Sequence, residues 1–452
     1  MLSHKASAAC PQGLSMPRTI LSELARQNPD VDNSCTKSGA NTFATGWPMV
    51  DSWTVWQDFN ARQLYNLYKD IVDAEWRDPP AVTETTRFDR RIFDEDSLEH
   101  NILSKTLLPL VNAALRHARR VLGLDRSFDL DLGRAGRCYY NPSGDGRFSP
   151  DWSLCSEKRV ASAVAYENLL PGDTKLSRKW HSTYYIDDTA QWRDPMRQVL
   201  HYCDKSGVRY GFILTELELA VFRYTREAIG PGIGGGGGGQ RPRGQQQLPT
   251  GSYRVVSGSS DTSKLSDALQ NTSLSSNSYQ PTDSGGEYLS VEYRVIPWTN
   301  HGDGKRHLTV RLALFYLSMM AGLGPSAIQT EYPSFDSWFC LDNGGFMHNT
   351  TGRIEKKLPP NAVVQYLDPA TSRPEWVTLE GVQYLTRASV RTLGVDRNQY
   401  YYVDEGNNRV YVTKDVDVYD RESEQLGCFD GLAWMGPDEV EKSNKNKKRR
   451  KK

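Results

Sequence analysis

The sequence lacks a Cys-x-x-Cys pair, a Gly-x-Ser-x-Gly elbow, a kinase signature set and a phosphate loop ending in Gly-Lys-Ser/Thr. Each absence removes a chemistry. Seven cysteines stand singly at 10, 35, 138, 155, 203, 340 and 428. An odd, scattered set fits a reducing compartment and argues against a disulfide framework or a structural zinc site. His181, His201 and His301 have no metal-ligand spacing. Without a phosphate loop no nucleotide cofactor is expected, and the glycine run at 234–239 reads as linker. The longest apolar run, Leu308 to Gly322, contains Arg311 and is too short to span a bilayer, so no membrane partner is expected. Sequons at Asn271 and Asn349 matter only in a secreted chain, and no signal peptide is visible.

Net charge is absent too, but only as a sum. Eight basic residues lie between Lys442 and Lys452, which leaves 47 basic against 55 acidic residues over 1–441. An acidic body is not a general polyanion binder, so a nucleic-acid contact there needs a local basic patch and metal ions to offset phosphate repulsion. The tail residues Lys447, Lys448, Arg449, Arg450, Lys451 and Lys452 read as a nuclear import signal or a polyanion-binding arm. The plainer alternative is a solubilising terminus in a cytoplasmic protein.

At 452 residues with 38% apolar content, the chain suits a packed core carrying unstructured segments. Residues 1–50 are rich in Ser, Ala, Asn and Pro and read as disordered. A helical lead-in follows over 51–92, with Phe59, Leu64, Leu67, Tyr68, Ile71 and Val72 on one face. The expected core spans 93–228 and is completed by a strand and a buried helix over 287–329. Its first helix runs from about Asp96 to Leu122, started by Asp94 or Asp96 and kinked at Pro109. Short strands are expected at 137–140, 151–155 and 159–170, then a helix over 191–206 and paired strands at 210–215 and 219–224. Residues 229–286, rich in Gly, Ser and Gln, form an insert too polar to fold. A smaller strand-rich unit is expected over 330–435, with a hairpin of 400–403 and 409–412, and the basic tail occupies 436–452. The fold class is mixed α/β.

Three short segments carry the chemistry. Pro150-Asp151 opens one expected strand, Asp173-Thr-Lys175 closes the next, and Gln198 and Tyr202 lie one turn apart on the following helix. If the strands pair, two carboxylates meet at one sheet end and can hold Mg²⁺ or Mn²⁺, with the Thr174 carbonyl as a further ligand. Lys175, two residues beyond Asp173, shares its face and brings an ammonium to water or phosphate. Arg178 and Lys179 follow as candidate phosphate contacts. That set suits phosphodiester hydrolysis. Plainer readings stand beside it: Asp151 as a turn residue, Asp173 and Lys175 as a surface ion pair, Tyr202 as core, Arg178 and Lys179 as a solvated loop.

The ordered set resembles the PD-(D/E)xK nuclease superfamily, with Pro150-Asp151 as the PD, Asp173-x-Lys175 as the second element and Gln198-x-x-x-Tyr202 as the QxxxY motif of its RecB-like branch. The segments Leu170-Pro-Gly-Asp-Thr-Lys-Leu-Ser-Arg-Lys-Trp180 and Arg209-Tyr-Gly-Phe-Ile-Leu-Thr215 are similar to fungal proteins with a nuclease-like domain of this type. The resemblance covers roughly 95–225 and extends to 288–321. It implies a restriction-endonuclease-like αβββαβ core and magnesium-dependent nuclease chemistry on a nucleic-acid partner. It also implies an acid on the first core helix, for which Glu99 is the first choice and Glu95 the second. The alternative is a catalytically inactive nuclease-fold protein acting as a nucleic-acid- or protein-interaction module. Nothing in the sequence separates a mobile-element or toxin-like effector from the first reading.

Overall fold

The computed structural model describes residues 17–44, 47–50, 52–138, 149–162, 165–187, 190–228, 287–329, 332–341 and 344–359. Beyond these it describes residue 362, the strand segments between 363 and 435, and residue 442. The expected insert at 229–286 and the tail lysines and arginines at 447–452 lie outside the described residues.

The core is a mixed α/β unit on a seven-stranded mixed sheet. Its strands are β1 (Ser52–Val55), β2 (Leu130–Arg134), β3 (Trp152–Ser156), β6 (Gly172–Thr174), β7 (Tyr210–Leu214), β8 (Glu218–Ala228) and β9 (Glu287–Pro297). Two further strands, β4 (Val160–Ser162) and β5 (Ala165–Tyr166), form a small separate hairpin. The sheet order is β1-β9-β8-β7-β6-β3-β2. β2, β3 and β6 are antiparallel neighbours, while β6 runs parallel to β7. A parallel pair needs a crossover. Helix α4 (Ala190–Ser206) supplies it.

Four other helices complete the unit: α1 (Ile20–Leu24), α2 (Ala61–Val72), a continuous helical rod α3 over 95–121, and α5 (Val310–Leu323). Asp94 caps α3, its side chain accepting from the Ser97 amide. The stretch Leu98–Leu107 is π-helical, and the Leu108 amide donates to Leu103, five residues back. Pro109 then sits in the first turn of the regular segment Leu108–Val121. A proline lacks its amide hydrogen and crowds the carbonyl four residues back, so the wider turn before it takes up the expected kink. Helix α5 is buried on every side from Val310 to Ala321, as its all-round apolar sequence requires. No helix among the described residues is long and apolar enough to cross a membrane.

Alternation along the strands sorts side chains to the two faces. Phe212, Leu214, Leu219 and Val221 join the core formed with α2, α3 and α5. Ile213, Ala220, Phe222 and Tyr224 join Trp192, Met196, Val199 and Cys203 of α4. Two glycines allow the close contacts around β6. A Cβ on Gly211 would fall 2.6 Å from Val199 Cγ1, and one on Gly172 would enter the Phe212 ring.

Three expectations need correction. The expected disordered stretch 1–50 is packed over part of its length: Ile20, Leu21 and Leu24 are buried, and Asn28 Nδ2 donates to the Trp298 carbonyl at 2.9 Å. The first strand after α3 is Leu130–Arg134, and Arg137, expected to open a strand, ends a 3₁₀ turn over 135–137. Residues 159–170 do not form one strand. The Asn168 side chain accepts from the Leu154 and Leu170 amides and donates to the Trp152 carbonyl, and the Leu169 amide donates to the Leu154 carbonyl at 2.9 Å, so this stretch is tied to β3 without a regular ladder. The core strand comes after it, at Gly172–Thr174.

Past the core, Trp338–Cys340, Phe346–His348 and Ile354–Glu355 begin a second, strand-rich sheet. The expected hairpin is present, with Gln399–Val403 antiparallel to Arg409–Tyr411. The residues joining the two strands, 404–408, lie outside the described residues.

Candidate functional site

β3 and β6 meet at Trp152 and Gly172, which puts Asp151 and Asp173 side by side at one end of the sheet. Asp151 Oδ2 accepts from the Thr174 amide at 2.8 Å. Its carboxyl also lies within hydrogen-bond reach of that of Asp173. Lys175 continues the line of β6, its amide donating to the Leu214 carbonyl at 3.1 Å. As alternation requires, Lys175 Nζ reaches Asp173 Oδ2 as an ion pair. Nζ also lies 3.4 Å from the Thr174 carbonyl. Thr174 turns the other way, and its Oγ1 accepts from Trp152 Nε1 at 2.7 Å.

These groups are deeply placed: Asp173 is 1% and Lys175 6% exposed. Burial pushes the Asp173 carboxyl up to about 8; the Lys175 ammonium opposes this, and the neighbouring Asp151 carboxyl reinforces it. For Lys175 burial acts downward, but Asp173, Glu95 and Asp151 outweigh it and the net shift is upward. Asp173, buried beside a second carboxylate, resists ionisation even with the Lys175 ammonium against it.

A divalent metal would relieve that repulsion. The donors fit one: two converging carboxylates and a backbone carbonyl are hard oxygen ligands of the kind magnesium takes, with positions left for water. A second grouping exists among the described residues, where Asp96, Glu99 and His100 offer ligand atoms within 4.8 Å of one another. There Glu99 is already paired with Arg134, and His100 Nδ1 lies 3.0 Å from Asp96.

The helix acid beside Lys175 is Glu95, whose charge acts on the lysine and whose Oε1 lies 3.2 Å from Lys179 Nζ. Glu99, the first choice from sequence, is buried against the Arg134 guanidinium. That guanidinium also sits 5.4 Å from the centroid of the Trp152 ring. Gln198 and Tyr202 are both buried on α4, and Gln198 Nε2 donates to Tyr202 Oη at 2.8 Å. Gln198 Oε1 is buried without a hydrogen-bond partner. Arg178 is exposed; Lys179 is half-buried and its carbonyl accepts from Asn41 Nδ2 at 2.9 Å.

Sequence reasoning missed the residues that hold the loop after Lys175. Glu216 and Glu218, both buried, lie at the tight β7–β8 connection. Glu216 accepts from the Ser177 amide and hydroxyl, and Glu218 from those of Ser182. Asn33 of the N-terminal segment donates to Glu216 as well. The available signal was two acids, Glu216 and Glu218, in a short turn between apolar strands.

No family model, curated protein or solved structure matches this chain.

Proposed function

We propose that this protein is a metal-dependent nuclease of PD-(D/E)xK type that hydrolyses phosphodiester bonds in nucleic acid. The observation that carries the reading is the convergence of Asp151 and Asp173 with Lys175 paired to Asp173. The order of elements supports it: helix α3, strands β2, β3 and β6, helix α4, strand β7, with β6 and β7 parallel. With the small β4–β5 hairpin left aside, that order is the one expected of an αβββαβ restriction-endonuclease-like core.

Asp151, Asp173 and the Thr174 carbonyl would hold one Mg²⁺ or Mn²⁺. Bound there, such an ion supplies Lewis-acid polarisation of a phosphoryl oxygen and makes water more acidic. The chain's own groups do the rest. The Lys175 ammonium neutralises charge that develops on the phosphoryl oxygens, and Glu95 helps keep it protonated. Lys179 and Arg178 meet flanking phosphates. Gln198, fixed by Tyr202, presents an unsatisfied acceptor that can orient a proton donor. In a nucleus-targeted chain the basic tail would add a sequence-independent hold on the polyanion.

A second reading, a catalytically silent interaction module, is favoured by the near-complete burial of Asp173 and Lys175. An ion pair that solvent barely reaches can serve the fold alone. Cleavage of labelled single- and double-stranded DNA and RNA, with Mg²⁺ or Mn²⁺ against EDTA, separates the two. The nuclease reading expects cutting of at least one substrate that EDTA abolishes. No cutting by folded protein on any of the four, with either metal, overturns it in favour of the silent module.

A further inference from the structure

Cys138 and Cys155 are 17 residues apart, yet their Sγ atoms lie 3.4 Å from each other. We propose that they form a redox-modification site, a dithiol that a peroxide converts to a disulfide closing the loop that carries Asp151. The inference does not rest on the nuclease reading.

The two sulfurs are held opposite one another by the backbone around them. Cys138 ends the 3₁₀ turn, its amide donating to the Ala135 carbonyl at 2.9 Å. The Ala135 amide in turn donates to the Asp151 carbonyl at 3.1 Å. Arg137 ties the same turn to the sheet, with Nη2 donating to the carbonyls of Asp131 at 2.6 Å and Ser153 at 3.1 Å. Cys155 lies within β3, paired to Asp131 of β2. A bonded S–S distance is about 2.05 Å, so the sulfurs must close by little more than about 1 Å, within the range of a side-chain rotation.

The surroundings favour reaction at Cys155. Either thiol can donate to the other; with Cys138 donating, that bond and the positive charge of the Arg137 guanidinium pull the Cys155 thiol down to about 7 despite burial. The Cys138 thiol, its partner in that bond, shifts upward. Ser153 Oγ lies 3.6 Å from Cys155 Sγ. Cys203 is the contrasting case: its thiol donates to the Tyr210 carbonyl, and full burial raises it. A thiolate is the reactive form, so Cys203 stays inert.

Hydrogen peroxide, unlike a bulky disulfide, is small enough for a buried pair. The Cys155 thiolate attacks one peroxide oxygen, the O–O bond breaks, and the hydroxide released takes a proton to leave as water. The resulting sulfenic acid is attacked by the Cys138 sulfur. The S–S bond forms, the S–O bond breaks, and the departing hydroxide takes the Cys138 proton as a second water. Two thiols lose two electrons and one peroxide gains them. The product ring encloses Asp151 and fixes the far half of β3 to the 3₁₀ turn that follows β2.

The test is brief treatment of the full-length protein with hydrogen peroxide, then alkylation and peptide mass mapping. The expected product is a Cys138–Cys155 cross-linked peptide lacking two hydrogens, restored by dithiothreitol. The oxidised protein should melt about 5 °C higher than the reduced form. In Cys138→Ser the cross-link is lost and dimedone labels Cys155, because the sulfenic acid has no partner. The proposal is overturned if Cys138 and Cys155 stay alkylatable while Cys35 is oxidised, or if Cys155 proceeds to sulfinic acid with Cys138 still free.

Discussion

Lys175→Met is expected to lower the single-turnover rate of Mg²⁺-dependent cleavage by about 10³-fold while the protein stays folded. Two features of the site set that size. The ammonium is paired to Asp173, one of the two converging acids, which under the proposed function places it where charge develops on a phosphoryl group. The low-dielectric surroundings strengthen its field, since Lys175 and Asp173 are almost wholly buried. A factor of 10³ is roughly 4 kcal/mol of transition-state stabilisation, in the range of one preorganised charge. Methionine matches the length of the lysine stem and leaves little cavity. Breaking a buried ion pair would normally cost about 3–5 kcal/mol. Here the Asp173 carboxyl already titrates at about 8, and without the ammonium it takes up a proton instead of staying as a stranded charge. The expected loss of stability is therefore only about 1–2 kcal/mol. Rapid-quench cleavage with thermal melts on the same preparation checks both numbers. A folded variant that keeps a tenth or more of the rate contradicts the role given to Lys175.

Metal affinity should rise about tenfold per pH unit between pH 6 and 8 and level off above that. The sign follows from Asp173. Its folded pKa lies far above the ordinary 3.8, raised by burial and by Asp151. Between the two values the folded protein holds a proton that the unfolded chain has released. Stability from this group is therefore present below about pH 4 and is lost as pH rises through about 8. A divalent cation competes with that proton, so binding below pH 8 expels it, and the metal raises the melting temperature more at pH 8 than at pH 6. Calorimetric titration of Mg²⁺ in two buffers of different ionisation enthalpy reads the proton directly: close to one released per ion at pH 7. Equal affinity at pH 6 and pH 8, with no proton released, would remove Asp173 from the ligand set.

How much of this was legible in the sequence depended on how local each cause was. Helix α3 was legible because Asp94 caps it and its apolar face is long. Strands β7 and β8 were legible as apolar runs around a short turn. The meeting of Asp151 with Asp173 followed from the order of strands, and Lys175 from alternation. The failures share one property, dependence on contacts distant in sequence. β6 is three residues long and follows Pro171, so only its partners β3 and β7 make it a strand. The N-terminal segment reads as polar, yet its few apolar side chains reach the core and Asn41 binds the carbonyls of Lys179 and Gln191. Which of Glu95 and Glu99 acts on Lys175 was not legible: it is Glu95, while Glu99 is paired with Arg134. The ion pair that takes up Glu99 comes from Arg134 at the end of β2, a contact distant in sequence. The Cys138–Cys155 contact had no sequence signal, because the turn between Ala135 and Arg137 creates it.

The central claim is that Asp151 and Asp173 hold the metal. Anomalous diffraction from crystals soaked with Mn²⁺ tests it most directly. The expected result is one strong peak within about 2–2.5 Å of a carboxylate oxygen from each of Asp151 and Asp173. A peak at Asp96, Glu99 and His100 instead, or no peak at the Asp151–Asp173 pair at saturating Mn²⁺, would contradict the account.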